Sequence, residues 1–218
     1  MRTIAMVFIV VTSFTVAPVR ADESAGDGEG WISLFDGESL DGWRASENKD
    51  SCKVEGGVIV VGGGERSHLF YDGPVNDHDF KNFELKLEAM TEPGANSGVY
   101  FHTEYQEEGW PSKGYEAQVN NSQEDWRRTG SLYAVEDVSE SPAQDNEWFD
   151  YHIIVRGNQI TLKVNGDTVV DYTEPEDPPQ PDSARDRRLS SGTIALQAHD
   201  PGSIVHFRNI RIKPLPEE

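Results

Sequence analysis

The feature that most constrains this chain is a two-residue period of hydrophobicity, repeated in short runs between turn-forming residues. Residues 83–90 carry apolar side chains at the odd positions and mostly charged ones between them. Residues 160–172 alternate in the same way on both sides of Asn165-Gly166, a dipeptide that suits the type I′ turn of a β-hairpin. Successive side chains of a strand point to opposite faces, so these runs predict half-buried strands and at least one hairpin.

The rest of the sequence extends this pattern and offers no amphipathic helix of convincing length. Short antiparallel strands bury their apolar faces by packing as two sheets. The expected fold class is therefore all-β, a sandwich or jelly roll of two antiparallel sheets with little or no helix. The further strand candidates are residues 57–61, 67–71, 97–103, 115–120, 131–135, 149–156, 192–198 and 203–213.

The N-terminal region has the pattern of a cleaved secretory signal. Residues 1–21 contain a basic start, a short apolar stretch and small residues before a cleavage site after Ala21. The acidic residues 22–30 follow as an expected disordered leader. Residues 31–214 form the expected single domain, before a tail at 215–218. This organisation predicts a periplasmic or extracellular protein without membrane insertion after signal cleavage.

Composition narrows the range of partners. With 39 acidic against 19 basic residues, the chain carries a formal net charge of −20. This charge argues against nucleic acid and anionic membranes, because both are polyanions, and it leaves neutral sugars compatible. The single Cys52 cannot form an internal disulfide, so we expect a small buried residue there. The oligomeric state is not predicted.

Polar side chains recur at a spacing of two on several strand candidates. Aromatic rings together with carboxylates and amides suit a sugar, which offers apolar ring faces and many hydroxyls. If these strands are neighbours with the same faces aligned, they form a sugar-binding patch. The alternative is that these polar side chains lie on a solvated outer face of a sheet and that the histidines have structural roles. The candidates are Asn96, Tyr100, His102, Glu116, Gln118, Ser131, Tyr133, Gln197 and His199.

The sequence gives no strong metal or cofactor motif. His102, Glu116 and His199 are ligand types, but no His-x-His or Cys pair supplies local ligand spacing. The Asp-rich stretches at 22–29 and 171–182 lack the calcium-loop pattern. No P-loop, dinucleotide fingerprint or nucleophile elbow is present. We therefore expect no cofactor, and calcium remains compatible with the sequence.

An ordered series of motifs resembles a known bacterial family. The opening segment Leu34-Phe35-Asp36-Gly37-Glu38-Ser39-Leu40-Asp41-Gly42-Trp43 is similar to the signature of the 3-keto-disaccharide hydrolases. This group is also described as 3-keto-glucoside 1,2-lyase and 3-keto-2-hydroxy-glucal hydratase domains. Ala198 departs from the family pattern, which has an acidic residue there. The likeness covers about residues 31–213 and continues through 83–85, 96–101, 114–118, 130–133, 147–149, 164–166, 194–199 and 207–212.

The resemblance implies a concanavalin A-like jelly roll that acts on sugars already oxidised at carbon 3. Such a sugar is cleaved by elimination across carbons 1 and 2 and hydration of the resulting glucal, which sums to hydrolysis. Together with the strand alternation, it points to His199 or Glu116 as the base. Tyr100, Tyr133 and His102 are then acid or stacking candidates. Gln118, Gln197, Asn96 and Ser131 are expected to bind substrate.

Two other functions are compatible with the sequence. A non-catalytic carbohydrate-binding module could use the same fold, because fold alone does not decide function. An ordinary laminarinase-type glycosidase is a third alternative. Resemblance to that group would require a strand with the motif Glu-x-Asp-x-x-Glu. Residues 114–121 contain only one acidic residue.

Overall fold

The described part of the chain consists of short β-strands with two 3-10 turns, Lys49–Ser51 and Val75–His78. The computed structural model describes residues 29–178, 180 and 186–217. The expected signal peptide, most of the acidic leader, residues 179 and 181–185 and the last residue lie outside this range. The strands are β1 Ile32–Ser33, β2 Trp43–Ala45, β3 Cys52–Glu55, β4 Val58–Gly62, β5 Ser67–Tyr71, β6 Phe83–Thr91, β7 Ser97–Thr103, β8 Tyr115–Val119, β9 Phe149–Arg156, β10 Gln159–Val164, β11 Asp167–Thr173, β12 Thr193–Ala198 and β13 Ile204–Pro214.

These strands form two antiparallel sheets, as the sequence predicts. The larger sheet has the order β11-β10-β9-β6-β13-β4-β3, with β1 paired to β13. The smaller sheet has the order β2-β5-β12-β7-β8. Several neighbours, such as β6 and β13 or β5 and β12, are distant in sequence, as in a jelly roll, where long connections return strands to the other sheet. The all-β jelly-roll expectation is confirmed.

The core lies between the two sheets. The odd positions of β6 are at most 3% exposed, so the alternation that predicts a half-buried strand is correct. The smaller sheet contributes Val99 and Phe101 of β7, Ala117 of β8 and Leu196 of β12 to the same cluster. Their sequence neighbours point to the opposite face of this sheet, which is also buried. Something other than the larger sheet therefore covers that second face.

The Asn165-Gly166 turn joins β10 and β11, with Val164 opposite Asp167. Asn165 and Gly166 have φ values of 52° and 88°, the left-handed pair that a type I′ turn requires. The predicted hairpin is confirmed. Cys52 is also buried as expected, and burial raises the pKa of its thiol to about 12.

One strand prediction is wrong. Residues 131–135 form a tight turn instead, held by Val135 N–H donating to the Leu132 carbonyl at 2.9 Å. Ala134 adopts φ 59° inside this turn, and the strand-type pairing of the segment with the sheet is limited to an isolated bridge between Leu132 and Ala117 of β8. Burial in this segment does not alternate: Ser131 and Leu132 are buried, whereas Tyr133, Ala134 and Val135 are half-buried. No helix in the described residues has the length and apolar character needed to cross a bilayer.

Candidate functional site

The second face of the smaller sheet carries a cavity of about 240 Å³. Strands β12, β7 and β8 lie side by side beneath it, and the loops at 104–113, 120–130 and 186–192 surround it. A concave site with a few convergent polar groups is the usual form of a small-ligand pocket. The lining residues are Asn96, Tyr100, Trp110, Pro111, Glu116, Gln118, Asp125, Tyr133, Arg187, Gln197 and His199.

The floor of the cavity is a row of hydrogen-bonded side chains. Tyr100 of β7 lies directly opposite Glu116 of β8, so their side chains are adjacent on one face. The amide Nε2 of Gln197 donates to the Tyr100 hydroxyl at 3.0 Å and to Glu116 Oε1 at 3.1 Å. Sheet register therefore joins a carboxyl, a phenol and an amide from three strands.

Gly98 leaves the space that the Glu116 side chain occupies. A β-carbon at position 98 would lie against Glu116 Oε1 and 2.8 Å from its Cγ, closer than real contacts allow. Gly98 is paired with Gln118 on β8, so it stands between the polar side chains of neighbouring strands. A glycine inside a strand often marks such a close approach of a neighbouring group.

The Glu116 carboxyl is buried among the other polar side chains of the cavity floor. Burial raises its pKa, and the charge of Arg187 and hydrogen bonds from Tyr100 and Gln197 act against this rise without cancelling it. Burial also raises the pKa of Tyr100 well above its usual value, and the Glu116 charge adds to this rise. Tyr100 therefore stays a protonated phenol, while Glu116 is poised as a stronger base than an exposed carboxylate.

His199 lies at the edge of the cavity and is oriented by its neighbour. Its Nδ1 is 2.6 Å from Asp200 Oδ2. Asp200 is fixed in turn by Ser203 Oγ at 2.8 Å and by the Gly202 N–H at 2.7 Å. Burial acts to raise the pKa of Asp200, but these hydrogen bonds outweigh it and lower the pKa. A carboxylate on one imidazole nitrogen leaves the other available for proton transfer.

Asn96 and Gln118 extend the polar wall beyond Glu116. The Gln118 amide and the Asn96 Oδ1 are 3.2 Å apart. In the amide orientation that satisfies its surroundings, Gln118 donates to Glu116 Oε1 at 3.3 Å. Adjacent amides offer both donors and acceptors, which suits a ligand with several hydroxyls.

The structure brings together seven of the nine residues predicted from sequence: Glu116, His199, Gln118, Gln197, Asn96, Tyr100 and Tyr133. Tyr133 reaches the cavity from the 131–135 turn rather than from a strand. Ser131 does not line the cavity. Its hydroxyl is buried and accepts a hydrogen bond from the Val138 N–H at 2.9 Å, so it holds this loop together.

His102 lies elsewhere, which corrects its expected place beside Tyr100. A register shift between β12 and β7 occurs here, with Thr193 opposite Thr103 and Ile194 opposite Phe101. His102 adopts φ 55° and turns away from the cavity. Its Nδ1 accepts from the Ser190 N–H at 3.1 Å, so its Nε2 carries the proton and donates to the Lys81 carbonyl at 2.8 Å. His102 therefore links two connections and does not line the cavity.

Sequence reasoning missed the residues that reach the cavity from loops. Trp110 is 38% exposed. Its ring centroid lies 5.2 Å from that of His199 and 5.6 Å from that of the buried His68. Loop residues follow no strand period, so alternation could not find them. Asp200 could have been proposed from the sequence as a partner of His199, because it directly follows that residue. The missed lining residues are Trp110, Pro111, Asp125 and Arg187.

Ala198 packs in the core between the sheets and not in the cavity. Within the described ranges, no group of three or more His, Cys, Asp or Glu side chains could hold a metal ion.

Comparison with known protein families gives a match over most of the chain. The model of the 3-keto-alpha-glucoside-1,2-lyase-like domain matches residues 30–213. The chain belongs to this family. A 3-keto-disaccharide hydrolase of Bacteroides thetaiotaomicron is 38% identical over 85 residues, which cover 34% of this chain and 28% of that protein. The match thus spans less than a third of that relative's length.

Solved structures agree on the fold. A candidate glycosyl hydrolase from Parabacteroides distasonis superposes with a TM-score of 0.73 at 23% identity, over 86% of this chain and 95% of that one. The carbohydrate binding module CBM66 from Bacillus subtilis gives a TM-score of 0.55 at 14% identity, over 79% of this chain and 95% of the module. At these identities, the likeness concerns the fold alone.

Proposed function

We propose that this protein cleaves 3-keto-glycosides by elimination across carbons 1 and 2, followed by hydration of the glucal. The family supports a carbohydrate substrate. The observation that carries the proposal is the convergence of Glu116, with its raised pKa, and the His199–Asp200 pair on one small cavity. Elimination needs one base and one acid rather than the paired carboxylates of an ordinary glycosidase.

The reaction divides into proton transfers that these groups can perform. A ketone at carbon 3 acidifies the hydrogen on carbon 2, and a base takes this proton while the electron pair moves to the ketone oxygen as an enolate. The enolate then restores the ketone, forms a double bond between carbons 1 and 2, and breaks the bond from carbon 1 to the aglycone oxygen. Water next adds its hydroxyl to carbon 1 and a proton to carbon 2.

Glu116 is the proposed base. Its carboxyl lies on the cavity floor, and burial raises its pKa, which brings its basicity closer to that needed for a carbon acid. Gln197, whose amide nitrogen already binds Glu116 and Tyr100, keeps its Oε1 buried without a partner among the described residues. A sugar hydroxyl donating to this oxygen would satisfy it and orient the ring over Glu116.

His199 is the proposed acid for the departing aglycone. It lies at the cavity edge, partly exposed, with Asp200 on Nδ1. An imidazole held in this way keeps Nε2 free to donate a proton to the leaving oxygen and to accept it back from water in the hydration step. The indole of Trp110 beside His199 offers an apolar face for the aglycone.

The second candidate function is carbohydrate binding without turnover. The exposed Trp110 favours it, since an aromatic platform beside hydrogen-bonding amides is sufficient for sugar recognition. A binding module has no use for a buried carboxyl with a raised pKa, because that carboxyl lowers stability when ionised. This consideration favours the catalytic proposal.

The leaving group tests the two proposed roles separately. Release of aglycone is measured from methyl and 4-nitrophenyl 3-keto-glucosides in both anomeric forms, with unoxidised glucosides as blanks. Glu116→Gln is expected to lower the rate by about 10²–10⁴-fold with either aglycone. His199→Ala is expected to lose about as much with the methyl aglycone and little with nitrophenol, which departs without an acid.

A matched control is His206→Ala, because His206 lies on the larger sheet and pairs with Glu92. It is expected to keep wild-type rates. If neither Glu116→Gln nor His199→Ala slows release, the assignment is wrong. Binding of unmodified glycan without turnover of any keto sugar would favour the binding module.

A further inference from the structure

We propose that Arg187 binds the carbonyl oxygen at carbon 3 and stabilises the enolate charge that forms there, so that it selects oxidised sugars. This inference rests on the proposed elimination and assigns a group that neither strand alternation nor the base and acid roles require.

Arg187 is buried at the cavity, and most of its donors have no partner among the described residues. The residue is 3% exposed, yet within that part of the chain its guanidinium makes one long hydrogen bond, from Nη1 to the Gly114 carbonyl at 3.4 Å. Its Nε is buried without a partner in the part of the chain that the structure describes. Buried donors of a charged group are costly to leave unpaired, which indicates that a ligand completes them.

The backbone of Arg187 is fixed, so the guanidinium is presented in one place. Gln180 brackets the residue: its Oε1 accepts from the Arg187 N–H at 2.9 Å, and its Nε2 donates to the Arg187 carbonyl at 2.8 Å. The preceding Asp186 accepts from the Gly114 N–H at 3.1 Å. The loop is thereby anchored to the entry of β8, two residues before Glu116.

The charge of Arg187 lowers the pKa of Glu116, the proposed base, although the two side chains form no ion pair. Its field acts on both Glu116 and Tyr100, but the ion pairs found among the described residues do not include Arg187. A structural arginine would be expected to contact a carboxylate directly. A guanidinium near a base and free of such a contact can bind an oxygen that becomes negative.

The movement of electrons in the proposed elimination explains why an arginine is useful at position 187. When the proton on carbon 2 passes to Glu116, the electron pair of that bond moves through carbon 3 to the ketone oxygen. Two N–H groups of Arg187 can donate to this oxygen, and their interaction strengthens as the oxygen gains charge. An ordinary glucoside has a hydroxyl at carbon 3 and develops no such charge, so it gains nothing from Arg187 in the reaction.

The test replaces the guanidinium and then restores it from solution. The variants are Arg187→Met, which keeps the length of the chain, and Arg187→Lys, which keeps the charge without the planar donor pair. The matched control is Arg188→Met, because Arg188 is half exposed and lies 3.9 Å from Asp186. Rates are measured with 4-nitrophenyl 3-keto-glucoside, and each variant's melting temperature is recorded to show that it is folded.

For Arg187→Met, we expect kcat to fall by about 10²–10³-fold, with a smaller change for Arg187→Lys and none for Arg188→Met. Added guanidine is expected to recover part of the activity of folded Arg187→Met and to leave Arg187→Lys and the wild type unchanged. A structural role would not respond to guanidine. An active wild type with near-normal kcat in Arg187→Met and Arg187→Lys would overturn this inference alone. A loss in folded Arg187→Met that guanidine does not restore would also overturn it. A wild type that releases no aglycone would overturn the proposed function as well.

Discussion

Glu116 combines a cost in stability with a gain in basicity. Because burial raises its pKa above the ordinary value of 4.5, the folded protein holds this proton at pH values where the unfolded chain has released it. Ionisation of Glu116 therefore lowers the free energy of unfolding as the pH rises through the folded-state pKa. This cost is expected at functional sites.

Glu116→Gln should therefore stabilise the protein while it removes activity. Its melting temperature should exceed that of the wild type at about pH 8, and the difference should shrink towards about pH 4, where the wild-type carboxyl is also protonated. Thermal melts of both proteins across this range check the prediction. An equal or lower melting temperature for Glu116→Gln at the alkaline end would contradict the buried carboxylate.

Gly98→Ala should damage the site more than the fold. The added methyl group meets Glu116 Oε1 and Cγ, so the carboxyl must leave its place, and displaced groups of this kind cost about 10²-fold in rate. Since both substitutions act through Glu116, the double variant with Glu116→Gln should be hardly slower than Glu116→Gln alone. Additive losses in a double-mutant cycle of rates would show that Gly98 acts by another route.

At the scale of secondary-structure elements, the bulge in β7 separates two histidines that the sequence places in one group. His102 packs its ring against Phe83 and bridges the Lys81 carbonyl and the Ser190 N–H. Its role is to tie β7 to the connections on either side. His199, by contrast, stays on the cavity side of the sheet beside Trp110.

His102→Asn should cost stability and leave the chemistry intact. Asparagine tolerates the left-handed backbone at this position but is too short to bridge both partners. Leaving them unpaired costs about 1–3 kcal/mol, which corresponds to roughly 2–4 °C of melting temperature per kcal/mol for a domain of this size. Melting temperature and kcat on a 3-keto-glucoside are measured together. A large fall in kcat at full folding would return His102 to the site.

Alternation predicts the members of the site that lie on regular strands. Tyr100, Glu116, Gln118 and Gln197 keep the two-residue period, so their common face follows from sequence. The period fails at His102 because one bulged residue reverses the direction of the side chain. It gives no information on Trp110 or Arg187, because loops have no fixed period and their approach to the sheet depends on tertiary packing.

At the scale of the whole molecule, two buried histidines make the sandwich sensitive to acid. Burial lowers the pKa of His68 to about 3 and that of His102 to about 4, both from 6.5. Below pH 6.5 the unfolded chain binds protons that the folded protein does not, so stability falls as the pH drops. Each such proton contributes a slope of about 1.4 kcal/mol per pH unit.

Removing one of these histidines should flatten this dependence. Urea unfolding of the wild type and of His102→Asn at several pH values between 7 and about 4.5 compares the two slopes, and we expect the slope of His102→Asn to be smaller by up to about 1.4 kcal/mol per pH unit. Identical slopes would mean that His102 takes up its proton equally well in the folded protein.

The jelly roll packs its core on one face of the smaller sheet and leaves the other face to the loops, where Glu116, His199 and Arg187 meet. The most direct test of the elimination proposed for this site is the position of deuterium in the product. Wild-type protein and a 3-keto-glucoside react in deuterated water, and the released 3-keto sugar is analysed by NMR at early conversion, against an enzyme-free control. Elimination and hydration predict deuterium at carbon 2 in excess of carbon 4. Release of aglycone with the original hydrogen retained at carbon 2 of the product would contradict the account.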